Sequence, residues 1–236
     1  MIDPVLELTD VSKDYHGLRP LRIANLGVAA GEQVALVGFD APAAEVFVNL
    51  VTGATLPDRG TVRLFGRLTA DITDANDWLS VVDRVGIVSR RAVLLGTLSV
   101  VQNLAMPYTL EVEPPSPAVK ERAVALAVRV GLREATFDNS IAELNPMDVF
   151  RVRFGRALAL EPSLVIFEHP SVEVPPGDVR ALAEQCREVA SRSNIATVVL
   201  TADPEFARRS ASRVSSWQPA TGRLTSGGWL SRFRGG

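Results

Sequence analysis

The sequence has one cysteine, Cys186, so no disulfide bond can form within the chain. A lone cysteine in a helical pattern is typical of a half-buried structural thiol. No apolar run approaches the ~20 residues that a membrane-spanning helix needs. The formal net charge of −2 excludes the strong positive field typical of nucleic-acid-binding proteins. We therefore expect a globular protein of the cytoplasm that does not bind nucleic acid.

The 236 residues are 47% apolar, which is enough for a single α/β domain with a sizeable core. Short apolar runs of the kind found in buried parallel strands alternate with helical patterns. Strands are predicted over residues 5–8, 34–37, 61–65, 85–88, 163–167 and 196–201, and helices over 44–51, 117–130, 147–160 and 179–191. This alternation predicts βαβ crossovers and a largely parallel sheet with helices on its faces.

The helix-rich stretch 92–158 lies between two core strands and is interpreted as an inserted helical subdomain. A stiff proline-rich linker, "EVEPPSP", crosses it at residues 111–117. The α/β core would then comprise residues 1–91 and 159–225, followed by a C-terminal tail over 226–236. The tail is glycine-rich at both ends, which favours a frayed terminus over a small docking element.

The stretch "VALVGFDAPAAEVFVNLVTG", residues 34–53, has the strand–loop–helix layout of a phosphate-binding loop. The motif G-x-x-x-x-G-K-[ST] places a lysine and a hydroxyl at the start of the helix. Here Ala44 and Glu45 stand in those places. Pro42 removes a backbone donor, and Asp40 is a good helix N-cap. The pattern favours a self-capped helix start over a working phosphate cradle.

Five further stretches occur in a recognisable order. They are "LELTDVSKDY", "GEQVALVG", "LPDRGTVRLFGR", "VGIVSRRAVLLGTLSVVQNLAMPY" and "RVRFGRALALEPSLVIFEHPS". With them the whole chain, residues 1–236, resembles the ATP-binding subunit of ABC transporters. The resemblance implies a P-loop NTPase-like α/β fold. Its core sheet would be mostly parallel, with an antiparallel β subdomain and an inserted α-helical subdomain.

The resemblance assigns a relic nucleotide site to five residues. Tyr15 stands where the family stacks an aromatic ring on adenine, and Gly38 and Asp40 belong to the phosphate loop. The family's lysine neutralises phosphates and its Ser/Thr hydroxyl ligates Mg²⁺. Ala44 supplies no charge, and the carboxylate of Glu45 would repel a polyphosphate. We therefore expect no cofactor, and for ATP with Mg²⁺ only millimolar affinity at best.

Two polar contacts of the family are replaced by residues that cannot serve the same chemistry. Arg90, followed by Arg91, aligns with the glutamine that contacts metal and attacking water, and a cation cannot ligate Mg²⁺. The two arginines would pair with Glu45 or with carboxylates of a partner, or remain solvated. Ala202 replaces the switch histidine and can make no phosphate contact.

The second acidic strand ends in Glu168 and His169, where the family has an aspartate for Mg²⁺ and a glutamate as general base. Glu168 could hold a metal through water, and His169 could accept a proton near neutral pH. A lone histidine at a strand end is more often a hydrogen-bonded structural residue. No intact catalytic residue and no metal site are expected.

The family's signature motif, whose glycine amides and serine hold a partner's γ-phosphate, is replaced as well. Its positions are occupied by Leu144, Asn145, Pro146, Met147 and Asp148. Pro146 removes an amide donor, and Asp148 is predicted to place negative charge facing the phosphate. As local structure, Asn145 followed by Pro146 is a standard helix start.

These replacements predict an ABC-type subunit that does not hydrolyse ATP and has a structural or regulatory role. Its partners would be an ABC-type ATPase subunit, as a homo- or heterodimer, and a transmembrane permease at the inner face of the membrane. Arg90, Arg91, Leu94, Leu95 and Thr97 would line the groove that receives the permease. The alternatives are a hydrolysing subunit with unusual site residues and a stand-alone interaction domain.

Overall fold

The computed structural model describes residues 4–226, which form two β-sheets and seven α-helices. The strands are β1 (Pro4–Lys13), β2 (Leu21–Ala29), β3 (Gln33–Val37), β4 (Arg59–Leu64), β5 (Arg67–Leu68), β6 (Val85–Val88), β7 (Leu164–Glu168), β8 (Ala196–Thr201), β9 (Arg213–Gln218) and β10 (Arg223–Ser226). The helices are α1 (Ala41–Val51), α2 (Ala75–Val82), α3 (Val100–Ala105), α4 (Pro117–Arg129), α5 (Pro146–Leu158), α6 (Val179–Arg192) and α7 (Pro204–Ser210).

The larger sheet has six strands in the order β10-β9-β3-β8-β7-β6. Five of them, β9, β3, β8, β7 and β6, run parallel, and β10 closes one edge antiparallel to β9. Every residue of β3, β7 and β8 is buried, because both faces of the sheet are covered. The predicted α/β fold with a mostly parallel core sheet is confirmed.

The smaller sheet is antiparallel, in the order β2-β1-β4-β5. Its alternating inward residues, such as Leu6, Leu8 and Val62, share one hydrophobic cluster with Phe47 and Leu50 of α1. α1 is therefore packed between the two sheets. The predicted antiparallel β subdomain is confirmed.

The opposite face of the core sheet is covered by a second hydrophobic cluster, to which α3, α4, α5, α6 and α7 contribute. Cys186 of α6 is 2% exposed within it, more deeply buried than the half-buried thiol expected from the sequence. Burial raises the pKa of this thiol far above its ordinary value. Among residues 4–226, no helix is long and apolar enough to cross a membrane.

The core elements lie close to their predicted bounds. β6 and β8 match them residue for residue, and Pro146 opens α5 as expected. α1 begins at Ala41, three residues before the predicted start, because Asp40 caps the helix and Pro42 fits its first turn. The strands β2, β9 and β10 are not predicted by the sequence pattern, since their apolar residues are interrupted by polar ones. Residues 227–236 of the predicted tail lie outside the described residues.

Gly86 of β6 lies so close to α5 that a larger residue should not fit. A Cβ atom there would overlap the carbonyl oxygen of Ala157 and lie 3.1 Å from Cγ2 of Val165. We expect Gly86→Ala to lower the free energy of unfolding by about 1–3 kcal/mol, as overpacking does. Urea denaturation measures the loss. Gly96→Ala is the control, since a Cβ atom at Gly96 would have nothing within 4 Å; equal losses in both variants would contradict the packing argument.

Candidate functional site

A cleft of about 640 Å³ opens at the carboxyl ends of the parallel strands. Ligands bind at this edge of open parallel sheets, where the loops after successive strands meet. Three segments line the cleft: the start of α1, the residues after β6 and the residues after β7. The cleft brings together four of the predicted positions, Glu45, Arg90, Glu168 and His169.

Three amides around the loop between β3 and α1, those of Gly38, Ala43 and Ala44, have acceptors within the chain. Asp40 caps the helix, because its carboxylate accepts a hydrogen bond from the amide of Ala43 at 2.8 Å. The Asp40 carbonyl accepts from the amide of Ala44 at 3.0 Å, and Pro42 has no amide hydrogen. Gly38 has a φ of +103°, and its amide donates to the carbonyl of Thr201 at 3.0 Å. The amides at this helix start are therefore engaged within the chain, as the sequence predicts.

Arg91 joins two carboxylates that belong to different elements. Its Nη2 and Nε donate to the two oxygens of Glu168, at 2.5 and 3.2 Å, and its Nη1 lies 3.1 Å from Glu45. Ser89 completes the arrangement: its hydroxyl donates to Glu168 at 2.6 Å and accepts from the Arg91 amide at 3.1 Å. The hydrogen bonds with Glu168 raise the pKa of Arg91 above its ordinary value, which keeps the guanidinium charged.

Arg90 turns in another direction from Arg91. Its Nε lies 3.0 Å from Glu173, which also accepts a hydrogen bond from Nη1 of Arg153. The side chain of Arg90 is 59% exposed, against 8% for Glu168. Of the alternatives left open by the sequence, pairing with Glu45 therefore holds for Arg91, and Arg90 pairs with a carboxylate that the sequence analysis did not single out.

His169 follows β7 with a φ of +45°. Its amide donates to the carbonyl of Leu200 at 2.9 Å, which anchors the backbone at the strand end. Its ring atom Nε2 is buried and has no hydrogen-bond partner among residues 4–226. The expected hydrogen-bonded structural histidine is therefore wrong for Nε2, which makes no hydrogen bond to the described residues although polar side chains such as Ser89 and Glu173 line the same small void.

The segment 144–148 forms the start of α5 and does not line the cleft. Asn145 caps α5 by accepting a hydrogen bond from the amide of Asp148 at 2.9 Å. The carboxylate of Asp148 is 4% exposed and accepts from Asn145 Nδ2 at 2.8 Å and from Arg151 Nη1 at 2.7 Å. The prediction that Asp148 presents its charge to a phosphate is wrong, because these partners hold it inside. Leu144 and Met147 pack against the helical core.

Aromatic side chains hold the loop 38–40 against the sheet. Phe39 is 1% exposed and stacks on Trp217 of β9 with ring centroids 4.4 Å apart.

Tyr15 is partly buried in the same apolar cluster as Phe39. Burial and, second, the negative charge of Asp40 raise the pKa of its phenol. Ala202 is exposed at the end of β8.

Comparison with known proteins decides the family. The lipoprotein-releasing system ATP-binding protein LolD of Shewanella sp. (strain MR-7) is 30% identical over 213 residues, which cover 89% of this chain and 91% of that relative. The chain belongs to the ATP-binding subunits of ABC transporters. The methionine import ATP-binding protein MetN of Brucella abortus (strain 2308) is 25% identical, and the chain spans 56% of its length. No protein-family model matches the chain.

Solved structures of ABC proteins share the fold. The cbiO1 protein of Clostridium perfringens, part of the cbiONQ complex, superposes with a TM-score of 0.79 at 19% identity and covers 94% of this chain and 87% of its own. The dimeric ATP-binding cassette MJ0796, bound to ADP and Pi, gives a TM-score of 0.76 at 20% identity over 94% and 98% of the two chains. At these identities the likeness establishes the fold only.

In this ABC-family chain, sequence reasoning missed three polar partners of the site residues. Ser89 lines the cleft, and Arg153 and Glu173 line the small void beside it. Phe39 occupies an unspecified position of the loop motif, although an aromatic residue directly after the strand glycine indicates inward packing. Among residues 4–226, no cluster of three or more His, Cys, Asp or Glu side chains is placed to hold a metal ion.

The cap at the start of α1 can be tested by substitution. We expect Asp40→Ala to lower the free energy of unfolding by about 1 kcal/mol, since the amide of Ala43 loses its acceptor. Asp40→Asn keeps an acceptor and should change stability much less in urea denaturation.

The Asn variant should also lower the pKa of Tyr15, because a negative charge nearby is removed. Absorbance titration measures the pKa of Tyr15 when both chains also carry Tyr108→Phe, which removes the second of the two tyrosines. An unchanged pKa would contradict an effect of the Asp40 charge on Tyr15.

Proposed function

We propose that the chain is a structural or regulatory ABC subunit that does not hydrolyse ATP. One observation carries the proposal: Arg91 lies between Glu45 and Glu168, while the amides at the start of α1 donate to Asp40. The positions that the family uses for phosphate and magnesium are thus occupied by contacts within the chain. Its partners would be an ABC-type ATPase subunit, in a homo- or heterodimer, and a membrane permease.

The donor set does not fit a magnesium-bound triphosphate. A phosphate cradle needs free backbone amides and a positive side chain at the helix start. Here the amides of Ala43 and Ala44 are engaged, the Ala44 side chain is an uncharged methyl group, and Glu45 adds a carboxylate that is half exposed. Phosphate oxygens placed there would lie beside the Glu45 carboxylate and would have to compete with it for Arg91. We therefore derive no hydrolytic step.

The residues that could serve a metal and an attacking water are also engaged or enclosed. Both oxygens of Glu168 accept hydrogen bonds from Arg91, and one of them accepts from Ser89 as well. His169 lines the cleft, but its ring atom Nε2 is buried and cannot accept a proton from water there. These contacts support loss of hydrolysis rather than a site with unusual catalytic residues.

The names of the relatives and neighbours support the proposed partners. LolD belongs to a lipoprotein-releasing system, cbiO1 is part of a transporter complex, and MJ0796 forms a dimer. In this chain the proposed helical subdomain, residues 92–158, begins with an exposed segment in which Val93 is 71% and Leu95 41% exposed. We infer that this segment, on the cytoplasmic side of the membrane, contacts the permease.

Nucleotide binding separates this proposal from an active ATPase. We expect a fluorescent ATP analogue with Mg²⁺ to show no saturable binding below about 1 mM, and we expect no ATP turnover. An intact ABC ATPase subunit assayed in parallel is the positive control. Saturable micromolar binding that depends on Mg²⁺, with turnover, would contradict the proposal and support the hydrolysing alternative.

Reverting the loop alone should not restore activity. The double variant Ala44→Lys, Glu45→Ser returns the family's two side chains, but Glu168 keeps its bonds to Arg91 and Ser89. We expect no ATP hydrolysis above the level of the unmodified chain. Turnover restored by these two changes would mean that the rest of the site is competent.

Pairing is tested by co-expressing the chain with an intact ABC-type ATPase subunit and a permease from the same organism. Purification in detergent should yield one complex that contains all three chains. A chain that elutes alone, with no permease bound, would favour a stand-alone interaction domain.

A further inference from the structure

One guanidinium ties three elements of the core together. Arg91 follows β6, Glu45 lies on α1, and Glu168 ends β7. All three nitrogens of the guanidinium are used, Nε and Nη2 on Glu168 and Nη1 on Glu45. The contact with Glu168 spans 77 positions of the sequence. The guanidinium therefore adds a polar contact between three elements that the sheet and the core already bring together at the cleft.

The carboxylates of Glu45 and Glu168 both contact the guanidinium of Arg91. Two carboxylates in such an arrangement need a positive charge between them. Glu168 is 8% exposed, so water cannot compensate its charge. Without Arg91, the carboxylate of Glu45 on the other side of the guanidinium would repel that of Glu168. Two kinds of cation can hold such a pair: a guanidinium, through a planar fork of donors, or a divalent metal ion, through oxygen ligands. The chain supplies the first of these itself.

The adjacent arginine shows that this placement is specific. Arg90 is 59% exposed and Arg91 43%, so their carboxylate partners, rather than their exposure, distinguish them; within the described part of the chain Arg90 pairs with Glu173, which Arg153 also neutralises. Arg91 instead has its amide fixed by the hydroxyl of Ser89, which also donates to Glu168. Arg90 is therefore a matched control on the same loop.

We propose that Arg91 is a built-in cation that assembles the cleft without any ligand and excludes an external divalent cation from it. The contact is autoinhibitory, because the carboxylates that could receive a metal ion are already neutralised. The inference deepens the proposed function and rests on it in one respect, that no nucleotide site operates here. ATP turnover by the unmodified chain would overturn the proposed function, whereas cation binding tests Arg91.

The test compares Arg91→Ala with Arg90→Ala, using thermal unfolding and binding of Mn²⁺ followed by electron paramagnetic resonance. We expect Arg91→Ala to lower the Tm by roughly 5–10 °C, because a buried carboxylate loses its partner. Millimolar Mn²⁺ should restore part of that loss and bind to this variant. The unmodified chain and Arg90→Ala should show neither effect, and adding Glu45→Gln to Arg91→Ala should weaken the response.

Two results would overturn the inference. One is a Tm loss in Arg91→Ala no larger than in Arg90→Ala, and the other is a Mn²⁺ response that is equal in the unmodified chain or absent from Arg91→Ala. If Arg91→Ala does not fold, Arg91→Ala with Glu168→Gln decides, since it removes both charges. Recovery of folded protein supports the counter-ion role, and continued failure to fold overturns it.

Discussion

A buried carboxylate requires a cation, and the edge of the core sheet is arranged around that requirement. Glu168 ends a fully buried strand, so its charge cannot be left to solvent. Arg91 neutralises it and extends to Glu45, which joins the loop after β6 to the first helix. In this ABC-type cleft the two carboxylates are thus neutralised by a charge that the chain itself carries.

The start of α1 follows the same principle with hydrogen bonds. A helix begins with amides that have no partner inside the helix, and a ligand phosphate can use them. Here Asp40 caps the helix, and Phe39 anchors the loop by stacking on Trp217. The loop is therefore fixed from one side by an aromatic contact and from the other by a cap. Both contacts replace what a nucleotide would stabilise in a working site.

The framework was predictable because it depends on local patterns. Runs such as those of β6 and β8 consist of apolar residues, glycine and threonine, and their bounds follow directly from composition. β2 has polar residues between its buried ones and was missed, as was β9. Asp40 was predicted as a cap because its partner lies three residues away. Asp148 was predicted to place its charge facing a phosphate, and it is instead buried against Arg151, one helical turn further along.

By itself the sequence determined the α/β fold, the order of its elements and the absence of a lysine and a hydroxyl at the start of α1. Each of these follows from residue type or from spacings of a few positions. Only the tertiary structure decided which of two adjacent arginines pairs with Glu45 and Glu168, and that His169 leaves Nε2 without a partner among residues 4–226. Arg91 and Glu168 are far apart in sequence, and their pairing depends on how the sheet brings β6 beside β7.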